Sequence, residues 1–500
     1  MKRRRFLSQS IAATVAATLP ARALWAESLR HTPTEVSGNI NAVTGNGKQV
    51  TLARAAVQEF SDSLKGKLLL PGIEGYDEAR LLINPDFDKH PALVVQPTGP
   101  ADVSSAVTFA RENELLLAVK CGGHSASGQS SCDGGMQIDL SAMRGVRVDP
   151  SARTARVEGG SLLGELDHET MAHGLVTTAG TVSHTGVGGL TLGGGFGRVG
   201  RRFGLTLDNA LEFDVVTADG RLRRASMEEN PDLFWGLRGG GGNFGIVTSF
   251  LFRLHPMQRT VGSGRFIFPF SEAKQVMNFF AEYADSAPDE LQVDGGIGGP
   301  PGQEPGVIIM VVWSGDPART EEVFAPIRKA GTVVSETVTP MDYVALQRSG
   351  DYDDPRAFSG YMKSGFTGAL SPALIDDLVD NFEASPSRAT RVVFQQSGGA
   401  IGRVAADATA FAHRESKHNM LSFVSWKYGE DGSDHVRYIK SHWANMEKYT
   451  RGFYTNDMFG EGQEVVNANY RGNFSRLVEI KKAYDPGNLF RLNANVKPLA

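Results

Sequence analysis

Cysteine is almost absent. Only Cys121 and Cys132 occur in 500 residues, which excludes a scaffold stapled by disulfides and a four-cysteine zinc or iron–sulfur centre. A charge excess of either sign is also missing. With 51 Lys and Arg against 56 Asp and Glu, the formal net charge is -5, and no electrostatic footprint for nucleic acid or an acidic membrane results. Long apolar runs are scarce: the uncharged stretch Phe6 to Leu19 holds too few strongly apolar residues to span a bilayer, which takes about 20. The histidine pairs His168/His173 and His413/His418 are five apart. That misses the four-residue spacing that puts two metal ligands on one helical face, so no metal site is indicated. Apolar and charged fractions of 41% and 21% match a packed globular protein rather than a disordered or coiled-coil one. At this length one core is too few, and two or three domains with a cleft between them are expected.

Glycine is what the chain has in excess, 58 residues against a usual share of about 7%. Ten of the 25 residues from Gly180 to Gly204 are Gly. A flexible linker would be polar and Ser-rich, whereas Val187, Leu190, Leu192, Phe196 and Leu205 are interspersed here. A second cluster, Gly239 to Gly242, runs through Asn243-Phe244-Gly245 into the apolar Ile246-Val247. Each Gly costs conformational entropy on folding, so this density implies positive φ or backbone packed against a flat or anionic ligand. Successive unobstructed N–H groups cradle a pyrophosphate, and a nucleotide cofactor is the inference. Gly195-Phe196-Gly197-Arg198-Val199-Gly200 satisfies the dinucleotide fingerprint, but no apolar strand precedes it and Gly204 interrupts the segment where its helix should run.

Met1 to Ala23 has the form of an export signal: basic Lys2-Arg3-Arg4-Arg5, the apolar stretch, then Ala21-Arg22-Ala23 as a small-residue cleavage site. Arg3-Arg4-Arg5-Phe6-Leu7 resembles the twin-arginine signal of a bacterial route that carries folded, often cofactor-loaded proteins. An exported, periplasmic or extracellular protein is expected, with no membrane insertion after cleavage. Residues 24–50 read as a flexible arm. From Pro91 the pattern is strand, helix, strand (Leu93 to Val95, Pro100 to Leu115, Leu116 to Val119), then the loop Lys120 to Gly128 and a strand at Met136 to Leu140. After about Arg259 the elements lengthen, helical at Ser271 to Tyr283 and Ala318 to Lys329, with strands at Val307 to Trp313 and Met420 to Trp426.

Five ordered motifs carry a resemblance. They are Gly122-Gly123-His124-Ser125 ending with Ile138-Asp139-Leu140-Ser141; Gly186-Val187-Gly188-Gly189 with Gly193-Gly194-Gly195-Phe196-Gly197; Arg202-Phe203-Gly204-Leu205 through Asp208-Asn209; Leu233-Phe234-Trp235 with Arg238-Gly239-Gly240; and Tyr484-Asp485-Pro486 with Asn488-Leu489-Phe490. The chain resembles the berberine-bridge-enzyme-like FAD-linked oxidoreductases of the vanillyl-alcohol oxidase and p-cresol methylhydroxylase superfamily. The resemblance implies an α+β fold: a two-subdomain FAD-binding domain at 51–258, a substrate domain at 259–450 with an antiparallel sheet covered by helices, and a segment at 451–500 that returns to the FAD domain. It also implies that His124 bonds covalently to the flavin 8α-methyl group. A neutral imidazole is nucleophilic, and a tether prevents cofactor loss outside the cell. Gly122, Gly123, Ser125 and Gly128 then resemble the pyrophosphate loop, Gly188, Gly189 and Gly197 backbone beside the cofactor, and Ile246 and Val247 its adenine side. Many members carry a second link from a Cys at the position occupied here by Val182, so a single His link is expected. Thr185 sits where the family admits or blocks dioxygen.

The implied reaction is oxidation of an alcohol group of a small molecule, a carbohydrate or aryl alcohol, by hydride transfer to flavin, with dioxygen or another acceptor taking the electrons. The alternatives are oxidation of a C–N bond in an amine or alkaloid-like substrate, and a noncatalytic FAD-containing binding protein. Alcohol oxidation needs a base facing the flavin. Tyr454, in Tyr454-Thr455-Asn456, resembles the family's active-site tyrosine. Asp457 reads as base or surface, Tyr470 and Asn473 as supporting residues. Gln395, Gln396, His413 and Arg414 read as structural or as substrate-reading groups. Cys121 and Cys132 flank the phosphate loop and read as a disulfide of an oxidising compartment or as a pair of thiols, the reading favoured because twin-arginine cargo folds in a reducing cytosol.

Overall fold

The computed structural model describes residues 33–383, 385 and 387–498; the export signal expected at residues 1–23 lies outside them. Three main sheets organise the chain. The first has four strands in the order Lys67–Leu69, Leu93–Gln96, Met136–Asp139, Leu117–Lys120, the first pair antiparallel and the rest parallel. Met136–Asp139 is buried along its whole length, as expected of a parallel strand covered on both faces. The helix Pro100–Glu112, with Pro at its first position, crosses from Leu93–Gln96 to Leu117–Lys120 and leaves the slot between them for the later strand. The loop after Lys120 therefore emerges at the carboxyl end of the parallel strands, where open α/β sheets receive ligands.

The second sheet is antiparallel, in the order Leu222–Ser226, Ala210–Val216, Ile246–Arg253, Thr154–Glu158, Val146–Asp149. Its strand Ile246–Arg253 begins directly after the second glycine cluster. The third sheet has seven antiparallel strands, Ser335–Asp342, Thr260–Pro269, Gly306–Trp313, Leu291–Gly299, Ala389–Gln396, His418–Lys427 and Phe358–Thr367 in spatial order. Period-two alternation gives this sheet two different faces. Val392, Phe394 and Met420 point into a core with Val276 and Phe280 of the helix Ala273–Ser286 and Leu374 and Leu378 of Pro372–Asp380. Residues of opposite parity, among them Met362, Arg391 and Phe423, line a cavity on the other face. The architecture is α+β, and none of the helices among the described residues is long and apolar enough to cross a membrane.

Two elements differ from expectation. The described part of the predicted arm forms the antiparallel hairpin Ile40–Val43 with Gln49–Leu52, closed by a turn with Gly47 at φ 77°. Val36, Ala42 and Leu52 are buried against the first core, and so few apolar residues leave no periodic signal. The helix expected from Ala318 to Lys329 is broken into Pro317–Arg319, Thr320–Phe324 and Ala325–Lys329, only the middle piece α-helical. Pro326 lacks the amide that a continuing helix would need.

The C-terminal helix Phe474–Tyr484 brings a fully buried ion pair to the cavity's edge. Lys481 Nζ lies 2.6 Å from Asp485 Oδ2 with both side chains 0% exposed. The ammonium also donates to Asn243 O at 2.8 Å and Phe490 O at 2.9 Å, and Asp485 accepts from the amides of Leu489 and Phe490 at 2.8 and 2.9 Å. Every strong donor of the lysine is matched, which is the condition under which a buried pair is tolerated. Asp485→Ala strands the ammonium and is expected to lower unfolding free energy by about 3–5 kcal/mol, read by chemical denaturation, whereas Lys481→Met with Asp485→Leu costs markedly less. Equal losses in the two proteins would show that the pair's charge is not what matters.

Candidate active site

Where the carboxyl ends of the first sheet meet the glycine clusters, the C-terminal tail and the open face of the third sheet, the chain encloses a cavity of about 1180 Å³. Its walls are largely backbone. Gly122 and Gly186 cross in contact: a Cβ on Gly122 would lie 2.4 Å from Gly186 N, and one on Gly186 2.4 Å from Cys121 Sγ. At Gly189 and Gly242 a Cβ would meet nothing within 4 Å, because the missing side chains would project into open cavity. The lining includes apolar Leu117, Val119, Ile246, Val247 and Phe490, the loop Gly122 to Gln129 with His124, and the polar groups of Thr185, Tyr454 and Asp457. Asn493 lines the wall and its buried Oδ1 accepts no hydrogen bond. Apolar contacts, side-chain-free backbone and a few polar groups together suit a large ligand with apolar and anionic parts.

His124 Nε2 lies 2.6 Å from Nδ1 of His184, and its Nδ1 lies 3.3 Å from Thr185 Oγ1. Burial, and then the neighbouring His184, hold the His124 imidazole down at about 3. The ring is therefore neutral at any physiological pH and keeps a nucleophilic lone pair. The segment Gly180 to Thr185 is clamped from the substrate side of the molecule. Ser183 donates to Asp351 through N at 2.7 Å and Oγ at 2.5 Å. Gln347 Nε2 donates to Gly180 O at 2.8 Å, and Arg198 bridges Thr181 O and Leu346 O, each at 3.3 Å.

Tyr454 is buried against Phe196, whose ring meets it edge-on at 5.2 Å. Its hydroxyl oxygen accepts from Gly195 N at 2.8 Å and Asn456 Nδ2 at 2.7 Å. Gly195 has φ 91°, a conformation open to glycine that turns its amide toward the phenol. Burial holds the phenol well above its ordinary value of 10 despite these donors. One short turn further on, half-buried Asp457 lines the same wall and accepts from Asn419 Nδ2 at 2.9 Å. Burial raises its carboxyl to about 6.

Of the predicted cofactor residues, Gly122, Gly123, His124, Ser125, Thr185, Gly188, Gly189, Ile246 and Val247 come together on this wall. Gly128 and Gly197 do not. Gly128 turns at φ 78° with a Cβ position only 2.5 Å from the Phe87 ring, and a Cβ on Gly197 would lie 1.7 Å from Ala179 O; both serve chain crossing. Val182 packs by Gly350. His413 bonds Asn469 O at 2.9 Å, Arg414 holds Asp208 by two contacts of 2.8 Å, and Gln396 bonds Val293 N at 2.8 Å, so these three are structural, and Gln395 also lies off the wall. Tyr470 donates to Ala494 O at 2.9 Å and Asn473 to Ala406 O at 2.8 Å, bracing the tail. Cys121 and Cys132 are free thiols, pushed up by burial to about 11 and about 12. His184 escapes sequence reasoning. Its only sequence signal is a position two residues before a Gly-Val-Gly-Gly motif.

A family model described as an FAD binding domain matches residues 91–226, and one described as berberine and berberine like matches residues 453–497. An FAD-linked oxidoreductase of Dictyostelium discoideum is 32% identical over 89% of this chain and 98% of its own length. The structure of 6-hydroxy-D-nicotine oxidase from Arthrobacter nicotinovorans is 27% identical with TM-score 0.80, covering 87% of this chain and 99% of that one. A glucooligosaccharide oxidase of Acremonium strictum, described with a 6-S-cysteinyl, 8α-N1-histidyl FAD, is 26% identical with TM-score 0.78, covering 87% and 98%.

Gly189→Leu places a side chain where the protein has no atoms and the ligand has its room. The variant is expected to keep the wild-type far-ultraviolet dichroism and to retain less than about one-tenth of the flavin absorbance, since over-filling a site excludes its occupant. Full yellow colour in folded Gly189→Leu would remove this wall from the cofactor site.

Proposed function

The chain belongs to the FAD-linked oxidoreductases with a berberine-like C-terminal segment, and from that premise we propose that it oxidises an alcohol group of a carbohydrate or aryl alcohol, with dioxygen or another acceptor taking the electrons. The supporting observation is that one cavity is lined both by an imidazole held neutral, His124, and by a carboxyl raised to about 6, Asp457. When bound, FAD supplies an acceptor for two electrons delivered as hydride. Gly122, Gly123, Ser125, Gly188 and Gly189 would hold it, with Ile246 and Val247 at the adenine and His124 as its single tether, Val182 offering no second one.

An alcohol releases hydride readily only as its hydroxyl proton departs, so a base at the wall favours alcohol oxidation over oxidation of a neutral amine, which needs none. Tyr454 keeps its proton at working pH because burial opposes the phenolate. Asp457 is therefore the proton acceptor in this proposal, and Tyr454, first choice on sequence, is the donor that orients the reacting oxygen. Across the cavity, Phe358, Met362 and Phe423 offer flat apolar contacts and Arg391 and Ser425 offer hydrogen bonds, a combination suited to a sugar or aryl ring.

Asp457 is charged above about pH 6 and neutral below it, so the rate of anaerobic flavin bleaching by an alcohol is expected to fall as pH drops through 6. Asp457→Asn should lower that rate about 100-fold or more and abolish the acid limb. Bleaching by amines alone would overturn the alcohol reading; bleaching by no compound of either class would leave a binding protein. The twin-arginine reading makes periplasmic or extracellular protein beginning near Leu24 part of the same proposal, checked by N-terminal sequencing of the exported chain.

A further inference from the structure

The proposed tether leaves open how a neutral imidazole becomes bonded to a carbon. A residue outside the cavity wall bears on it. His184 Nδ1 is 2.6 Å from His124 Nε2, the ring centroids are 4.7 Å apart, and the nitrogen His184 does not engage, His124 Nδ1, is the one beside cavity-lining Thr185. With both rings in the Nε2–H form, His124 donates to His184 and its own Nδ1 carries the lone pair. The contact of Tyr352 N with His184 Nε2, at 3.5 Å, is too long to impose the opposite tautomer.

We propose that His184 is a positioning residue for covalent cofactor attachment: it fixes the His124 tautomer that presents Nδ1 to the cavity and takes the Nε2 proton as Nδ1 forms its bond. The inference rests on the reading of His124 as the tether. In the balanced step, a bond forms between Nδ1 and the 8α carbon and one C–H bond of that carbon breaks. The methyl hydrogen and the Nε2 hydrogen leave as protons, the electron pair of the broken C–H bond passes to the ring, and a two-electron acceptor of the dioxygen class returns the ring to its oxidised state. Without a partner, the alkylated imidazole would hold a positive charge in a site whose burial keeps His124 neutral down to about pH 3. His184 removes that obstacle by accepting the proton at its Nδ1.

The placement is built, not incidental. Ser183 and Asp351 fix the backbone next to His184 by contacts of 2.7 and 2.5 Å, the Tyr352 ring lies against it with centroids 5.6 Å apart, and a Cβ on Gly350 would lie 2.3 Å from Thr181 O. The clamp residues Gly350, Asp351 and Tyr352 come from the substrate side of the molecule.

The test tracks flavin, not turnover. Wild type, His184→Ala, His184→Gln and His124→Ala are purified from riboflavin-limited cells and mixed with FAD in air. Covalent attachment is timed by flavin in the acid-precipitated pellet and by the mass of the peptide holding residue 124. The expected result is attachment slowed about 100-fold or more in His184→Ala, with FAD still bound but released by acid. His184→Gln, which accepts the hydrogen bond but not the proton, should be comparably slow and guards against a folding defect in the alanine variant. Added imidazole should restore the rate in His184→Ala, a rescue that a purely structural role would not show. Attachment at the wild-type rate in both His184 variants overturns this proposal alone. Colour left in the wild-type supernatant overturns the His124 tether and this proposal together.

Discussion

The fold is shaped by the need to keep an elongated space of about 1180 Å³ open inside packed protein. Interiors close on voids, because every lining atom gains dispersion contacts by moving inward. A wall that resists must be thin enough to let a ligand approach and stiff enough not to collapse. Backbone held at fixed crossings supplies both. Gly122 against Gly186 makes such a crossing, and Gly189 and Gly242 leave their side-chain directions empty. Each glycine costs roughly 0.5–1 kcal/mol relative to alanine in a regular element, so the clusters are tolerable only because their apolar neighbours, Val187 and Leu192 in the first and Phe244 and Val247 after the second, pack into the large core of Phe213, Phe234, Phe250 and Phe252.

The cavity is closed from several parts of the chain, and the contacts that close it are polar and local. Gln347 and Arg198 reach the carbonyls of Gly180 and Thr181, Asn84 donates to Ala126 O at 2.9 Å and Gly360 O at 3.1 Å, and Lys481 binds Asn243 and Phe490 together. Most of these bonds join a loop of the glycine-rich half to a segment far away in the chain. The loops' geometry is thus a property of the whole fold.

The sequence made legible what local pattern encodes. Leu93 to Val95, Pro100 to Leu115 and Met136 to Leu140 read correctly because their periods are strong, and the glycine clusters pointed to a nucleotide because polar-linker composition was missing. What local pattern could not separate was of two kinds. Gly128 and Gly197 look like Gly189 and Gly242 in sequence, because a glycine required by close neighbours and one that leaves ligand room give the same letter; only the neighbours, Phe87 and Ala179 O, tell them apart. Asp457 reads as base or surface, and His184 has only its position before the Gly-Val-Gly-Gly motif, so pattern could not assign either a role. Their character comes from partners such as Asn419 and His124, brought near by folding.

Desolvation acts on the site's two titrating groups in opposite directions along the pH axis and thereby assigns their roles. It penalises charge everywhere, so it lowers an imidazole and raises a carboxyl. At His124 the shift runs far below the working range, and the ring stays neutral and nucleophilic. At Asp457 the shift stops at about 6, short of neutrality at pH 7, because the carboxylate accepts from Asn419, which opposes desolvation. Full burial without that donor would have yielded a carboxylic acid unable to take a proton; full exposure would have yielded a carboxylate too weakly basic to hold one. The depth of Asp457 in the wall is therefore a functional coordinate, and the residues that set it are those of the short turn Thr455–Asp457 and the strand His418–Lys427, which carries Asn419.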